Sequence, residues 1–445
     1  MEEFIKTLTE QMRCIKAREG VARELSNHII DQTEAYEQSG MEHDKAVEKA
    51  VREMGDPVAI GVSMDRIHRP QIDWRMILLT LVLSIAGLFC MMPVYGVERV
   101  LFGQGLFMLA GFAVIAVVYF IDYSIIGRIG AVAYIVMTIF FWIGRNHMRT
   151  INGRIPAMSI LVYLYVPVFA GILYQLRMRG YGAVIMGLMV IGVTCFAITY
   201  FSATLWVIVN IGFSMIVMLL AAIRKGMFGE NKKRMTVIVA AAVILPMIVM
   251  AGCISTGWRW LRWESFRVMR LEAFFHRDQY REGAGYIYNV IDDILENAKF
   301  VGTGSSKYID KLDSAMMLDG GLMPLISIYV YGMIVGIILL ILLTAFVFRA
   351  VKILNGQKNQ LGFLVTMACL LVIFLNGLEG MLVNVGLFPY TSVIIPFLTR
   401  GGSATLLYSV LIGLLLGVHR YEKVYTDETY ADQPRWRVSL KVEKR

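Results

Sequence analysis

Met76-Ile-Leu-Leu-Thr-Leu-Val-Leu-Ser-Ile-Ala-Gly-Leu-Phe-Cys-Met-Met-Pro-Val-Tyr-Gly96 runs 21 residues without a charge. A helix needs about 20 mostly apolar residues to cross the ~30 Å hydrocarbon core of a bilayer, and this stretch supplies them. Nine more of the same kind follow: 104–122, 126–144, 157–176, 181–200, 204–223, 235–254, 323–348, 361–382 and 402–419. The pattern predicts an all-α, polytopic membrane protein with about ten transmembrane helices. The residues before Met76 read differently. Val21, Leu25, Ile29 and Ile30 recur at helical spacing, then Ala46, Val47, Ala50, Val51 and Met54 repeat the pattern after Gly40. Gly55-Asp56-Pro57 stops it, and a shorter segment follows over Val58–Ile67. Residues 1–70 are therefore expected to form a small cytoplasmic helical domain. It is mildly acidic, with 11 Lys/Arg against 15 Asp/Glu in residues 1–75.

Composition agrees with a membrane protein. Of the 445 residues, 57% are hydrophobic and 17% charged, where a soluble domain has roughly 45–50% and about 25%. That excludes an ordinary soluble enzyme, a disordered chain and a disulfide scaffold. The net charge of +9 reads as bias in the cytoplasmic loops, and no basic-aromatic soluble face points to nucleic acid. Cys14, Cys90, Cys195, Cys253 and Cys369 show no metal-ligand spacing. No signal peptide is evident, so both termini are expected in the cytoplasm.

Basic residues fall where that orientation requires. Arg128, Arg177, Arg179, the cluster Arg224 to Arg234, Arg349, Lys352, Lys358, Arg420 and Lys423 all lie in inner segments. Arg145, Arg149 and Arg154 occupy an outer loop against the rule; an anionic ligand and a plain exception explain them equally well. Residues 255–322 make one oversized outer segment. It opens on the interfacial run Trp258-Arg-Trp-Leu-Arg-Trp263 and holds an amphipathic helix over Tyr286–Phe300. A loop of that length is a natural place for chemistry.

A few polar residues stand out against this background. Glu379 lies inside span nine, where an ionised carboxylate in lipid is costly, so it faces the bundle or a cavity. Asn376 shares its face one turn earlier. Each is read either as part of a substrate path or as an interhelical polar pair. Arg400 precedes Gly401-Gly402-Ser403 at the start of span ten, and an arginine beside helix-terminal amides suits a phosphate; an interfacial anchor is the alternative. Asp292, Asp293 and Glu296 read as a solvated acidic face. His276 and His419 have no ligand partners in the sequence pattern. Pro389 and Pro396 predict irregular backbone at membrane depth, tolerated only against protein or a cavity.

Three stretches resemble the SEDS family of cell-wall polymerases. Arg270-Leu-Glu-Ala-Phe-Phe-His-Arg-Asp with Gly283-Ala-Gly-Tyr286 looks like the R-x-x-A-F…G-A-G-Y region entering the large loop. Tyr331-Gly-Met-Ile-Val-Gly336 is similar to the family's E-E-x-G-x-x-G, without its glutamates. Val385-Gly-Leu-Phe-Pro-Tyr-Thr-Ser-Val-Ile-Ile-Pro-Phe-Leu-Thr-Arg-Gly-Gly-Ser403 resembles the signature between spans nine and ten. The likeness covers residues 76–420 and is strongest over 270–403. Residues 1–70 separately resemble the helical permease-prefix domain, on Glu24-Leu, His28-Ile-Ile-Asp31, Ala46, Ala50 and Glu53-Met-Gly-Asp-Pro57.

The SEDS resemblance implies polymerisation of lipid II into glycan strands on the outer face, with undecaprenyl pyrophosphate leaving. It implies a class B penicillin-binding protein as partner and a divalent cation, while the residues themselves make no cofactor evident and offer Arg270, Arg400, Ser403, Glu379 and Asn376 as substrate contacts. The family's catalytic carboxylate stands in an H-T-D-F context that is missing here, and its position falls on Gly321. The nearest carboxylate is Asp319, with Asp313 and Asp310 farther away. At the water–lipid boundary, desolvation would make Asp319 a better base; a helix-capping role is the alternative. The family's Q-P-D-x-G-T stretch is also absent, and Tyr200-Phe-Ser-Ala-Thr204 stands in its place. A catalytically silent relative that binds or moves lipid-linked precursor, or scaffolds a wall complex, stays open. An unrelated transporter fits the 68-residue outer loop poorly.

Overall fold

A computed structural model describes residues 1–147, 156–201, 205–255, 272–280, 283, 285–304, 320–390 and 394–424. The chain divides into two compact units. One is Met1–Ile72 with Gly356–Gly362 and the residues from His419 onward; the other is Asp73–Asn355 with Phe363–Val418.

The first unit is built on four helices: α1 (Glu2–Glu10), α2 (Ile15–Gln38), α3 (His43–Met54) and α4 (Pro57–Ile67). Along α2, Ala17, Val21, Leu25, Ile29 and Thr33 are buried, a strict i, i+4 stripe. Ile30, expected beside them, is exposed because it falls off that stripe. Ala46 and Ala50 are the buried residues of α3. Asp56 starts α4 by accepting from Val58 N and Ala59 N, with Pro57 at the first helical position. Asp65 accepts from Arg13 N at 2.8 Å and from Arg69 Nη2 at 3.2 Å, which ties α4 to the α1–α2 turn. The same unit takes in the chain just beyond span ten. Gln71 N donates to Arg420 O at 3.1 Å, and Lys16 Nζ sits 4.6 Å from the Tyr421 ring centroid.

In the second unit, nine helices among the described residues are long and apolar enough to span a membrane. They cover the expected spans one to six and eight to ten. The expected seventh is also helical, over Lys232–Ser255. Spans four (Ala157–Gln175), nine (Gln360–Asn384) and ten (Gly402–Arg420) are 72%, 67% and 67% buried, whereas spans one (Trp74–Tyr95), three (Ser124–Arg145) and eight lie between 22% and 33%. The first group forms the interior and the second turns its apolar side chains outward. Asp73 caps span one through Met76 N and pairs with Arg349 Nε at 2.7 Å.

Span eight departs from the expected 323–348. It is two pieces, Met323–Tyr331 and Met333–Gly356, broken at Gly332 with φ +107°. Hydropathy carries no sign of the break, because both pieces are apolar. The first piece is buried along most of its length.

Candidate functional site

The described residues between spans nine and ten, 385–390 and 394–401, form no regular helix and are buried over Ile394–Thr399. Phe397 has φ +59°, and its carbonyl lies so near Gly87 of span one that a Cβ there would approach to 2.0 Å. Only glycine permits that approach. The irregular backbone is satisfied internally, as membrane depth requires. Ile395 N donates to Thr399 Oγ1 at 2.7 Å, and Tyr408 of span ten donates its hydroxyl proton to Ile394 O. Pro396 lies against Gly377, beside Asn376.

At the start of span ten, buried Gln104 uses both ends of its amide. Its Oε1 accepts from Gly401 N at 3.0 Å and its Nε2 donates to Thr405 Oγ1 at 3.0 Å. Gly401 N, one of the expected phosphate-binding amides, is thus already engaged within the protein. Arg400 is exposed, with its guanidinium 3.9 Å from the Tyr95 ring centroid. Ser403 is half-buried.

Glu379 and Asn376 belong to a polar cluster in the bundle. Asn210 of span six donates to Glu379 Oε2 at 2.6 Å. Tyr163, on the 3-10 turn Val162–Leu164 of span four, shares a side-chain hydrogen bond with Asn210, and Tyr408 of span ten shares one with Asn376. Asn376 is 2% exposed. The cluster therefore joins spans four, six, nine and ten.

The segment expected to carry chemistry is fastened to the same region. Helix Tyr286–Glu296 buries Tyr288, Val290, Ile291 and Ile294. Arg277 Nη1 donates to both oxygens of Asp292, at 2.6 and 2.7 Å, while its Nη2 donates to Gly386 O. The expected solvated acidic face is corrected at Asp292, which is the counter-ion of a clamp onto the start of the signature segment. Tyr390 N donates to Tyr288 Oη at 3.1 Å, and the Trp206 and Phe388 ring centroids are 4.6 Å apart. Asn384, which drew no notice in the sequence, is 1% exposed and fully used. It donates to Gly321 O (2.9 Å) and Gly380 O (2.8 Å) and accepts from Leu325 N (2.9 Å). It fixes the backbone where the buried half of span eight begins. A lone amide in an apolar run was the available signal.

Asp319 and Arg270 lie outside the described residues, as do Asp310, Asp313, Arg149, Arg154 and Trp258–Trp263. Among the described residues no group of three His, Cys, Asp or Glu could hold a metal ion. The Asp292 oxygens are taken by Arg277 and a Glu379 oxygen by Asn210. Asp319, the carboxylate expected nearest the chemistry, lies outside the described residues, so the divalent cation that the resemblance implies is given no ligands.

No family model matches the chain. A 92-residue stretch is 32% identical to stage V sporulation protein E of Bacillus subtilis (strain 168); it covers 21% of this chain and spans about a quarter of that relative's length. In fold, the chain is similar to a chain from a solved peptidoglycan synthase complex that coordinates polymerization and crosslinking. The TM-score is 0.59 at 15% identity, over 81% of this chain and 99% of that one. It is also similar to the rod shape determining protein RodA of Thermus thermophilus, with TM-score 0.52 at 13% identity, over 79% and 97% of the two chains. The chain thus has the fold of these two solved structures, and over 92 residues its sequence is similar to that of the sporulation protein.

Proposed function

We propose that this protein polymerises lipid II into peptidoglycan glycan strands at the outer face of the bacterial cytoplasmic membrane, with both termini in the cytoplasm. The observation that carries the reading is the RodA-like fold together with a signature segment whose Ile394–Thr399 part is buried and internally bonded and whose Gly386 is clamped by Arg277. In this reading an acceptor sugar hydroxyl attacks the anomeric carbon of a lipid-linked strand. The new glycosidic bond forms as the bond to undecaprenyl pyrophosphate breaks, and the hydroxyl proton passes to a carboxylate. Asp319 is the proposed base, by sequence position. Arg400, Ser403 and Arg270 are the proposed pyrophosphate contacts; Arg400 would leave the Tyr95 face to reach it. Glu379 and Asn376 would order sugar hydroxyls through the polar cluster. Likeness to a synthase-complex chain supports a class B penicillin-binding protein as partner.

One observation favours a second reading, a silent member that binds precursor or scaffolds a complex. The H-T-D-F and Q-P-D-x-G-T stretches are missing, and Asp319 stands two residues from the family position. The test is polymerisation of fluorescent lipid II by the purified chain with a cognate transpeptidase, wild type beside Asp319→Ala. Polymer from the wild type alone supports the proposal. Equal polymer from both removes Asp319 from the mechanism, and lipid II binding without polymer from either establishes the silent reading.

A further inference from the structure

The turns joining spans four to five and six to seven form one basic ledge. Met178 N donates to Met227 O at 2.9 Å and Gly180 N to Phe228 O at 3.1 Å, so the two turns are bonded through their backbones. Met227 and Phe228 are buried and pin the second turn against the bundle. Met178 holds φ +60°, which few residues other than glycine adopt, and its side chain is 73% exposed. Residues 176–180 and 224–234 carry Arg177, Arg179 and five bases from Arg224 to Arg234, against one acid, Glu230. Two of these bases are fixed by neutral partners: Lys225 Nζ lies 3.7 Å from the Phe363 ring centroid, and Lys232 Nζ donates to Arg224 O at 3.0 Å. Arg179, Arg224, Lys233 and Arg234 are exposed and form no ion pair with any described residue.

Apolar surface begins where this charge ends. Spans five (Tyr181–Thr199) and seven touch each other. Ile185 and Met189 of the first and Val237 of the second are exposed. Ile185 and Val237 stand only about 6–8 Å into their helices at 1.5 Å per residue.

We propose that this ledge binds an anionic diacyl phospholipid, with the phosphate held by the exposed bases and the acyl chains along the apolar side chains of spans five and seven. Charge complementarity selects the headgroup. The adjoining apolar side chains select a lipid over a soluble anion, which would leave them in water, and a neutral lipid would leave the charge unanswered. The inference needs only the membrane-spanning fold and is independent of the proposed reaction.

The test is native mass spectrometry of the full-length protein in a neutral detergent, titrated with phosphatidylglycerol or with phosphatidylcholine. The first phosphatidylglycerol should bind the wild type more tightly than the first phosphatidylcholine. Arg179→Gln, Arg224→Gln, Lys233→Gln and Arg234→Gln together should weaken that first phosphatidylglycerol by at least about fivefold, the worth of one charge at a bilayer surface. Neutralising four exposed bases elsewhere near span ends, Arg75, Arg128, Lys352 and Lys358, should leave most of the preference intact. Equal losses from the two sets mean diffuse attraction and no site, and a wild type without preference means that the ledge serves another partner; either result overturns the proposal. Displacement by glycerophosphoglycerol, the headgroup without its chains, marks a soluble-anion site and overturns it as well. Should the fourfold variant fail to fold, hydrogen exchange of the wild type in phosphatidylglycerol and phosphatidylcholine nanodiscs decides. Slower exchange over 176–180 and 224–234 in phosphatidylglycerol, with 352–358 unchanged, supports the ledge; no difference, or the same slowing at 352–358, refutes it.

Discussion

Arg277 makes three hydrogen bonds at once, to both oxygens of Asp292 and to Gly386 O, and packs against Phe274 and Tyr288. Arg277→Ala should lower thermal stability by about 1–2 kcal/mol, the range for charged hydrogen bonds discounted for partial exposure. Arg277→Lys should recover little, because an ammonium cannot reproduce the planar fork. Melting curves of the two variants check both statements. Asn384→Ala should cost about 1–3 kcal/mol, since it strands Leu325 N and the Gly321 carbonyl in a buried site; unfolding of the purified variant measures it. Glu379 and Arg400 were legible as residues out of place in an apolar chain. Their partners were not, because Asn210, Tyr163 and Tyr95 come from other spans and only packing brings them near. Gln104 and Asn384 escaped notice for a related reason. Each is a single amide in a span, and nothing in one dimension says that both ends of the amide are used.

Among elements, span eight shows most clearly what periodicity can and cannot convey. Its glycines were visible as a family-like motif, Gly332 and Gly336, and the structure supplies their physical reasons. Gly332 holds φ +107°, and a Cβ there would lie 2.6 Å from Phe300 O and 2.7 Å from Val301 Cα, both backbone atoms. Gly336 would meet only the flexible end of Ile328. Gly332→Ala should therefore destabilise by at least about 1–2 kcal/mol from the left-handed backbone alone, and more from the overlap, while Gly336→Ala should be milder. Thermal denaturation of the pair decides this. In the first unit, the Arg13 amide and then the Arg69 guanidinium hold the Asp65 carboxyl below the usual carboxylate range. A depressed folded-state value means its stabilising contribution is full above the ordinary carboxylate pKa and is lost as pH falls through the lowered value. Hydrogen-exchange protection factors in α1 and α4, corrected for the intrinsic exchange rate, should fall between pH 6 and strongly acidic conditions in the wild type, and Asp65→Asn should flatten that dependence. The helices here follow spacing closely: the buried stripe of α2 was readable, and Ile30 was misplaced by one position on the helical wheel.

For the whole molecule, apolar length was enough to count the crossings, because the bilayer sets a minimum that few other structures meet. Which crossings form the interior was not legible. Spans four and nine, with mean hydropathies of 1.9 and 2.4, lie within the 1.9–2.7 of the outward-facing spans, and span ten at 1.6 is only a little below it; their central place rests on small residues, an irregular segment folded back between them, and polar pairs that one sequence does not couple. Sidedness was read only from Lys and Arg placement, and the functional proposal depends on it, since a lipid-linked glycan precursor is polymerised on the outer side. The most direct measurement is labelling of intact cells with a membrane-impermeant maleimide at Leu387→Cys, a position 70% exposed at the start of the signature segment. The account predicts labelling before permeabilisation, above the level of the parent protein. Labelling only after the membrane is opened would put the signature segment on the cytoplasmic side and contradict it.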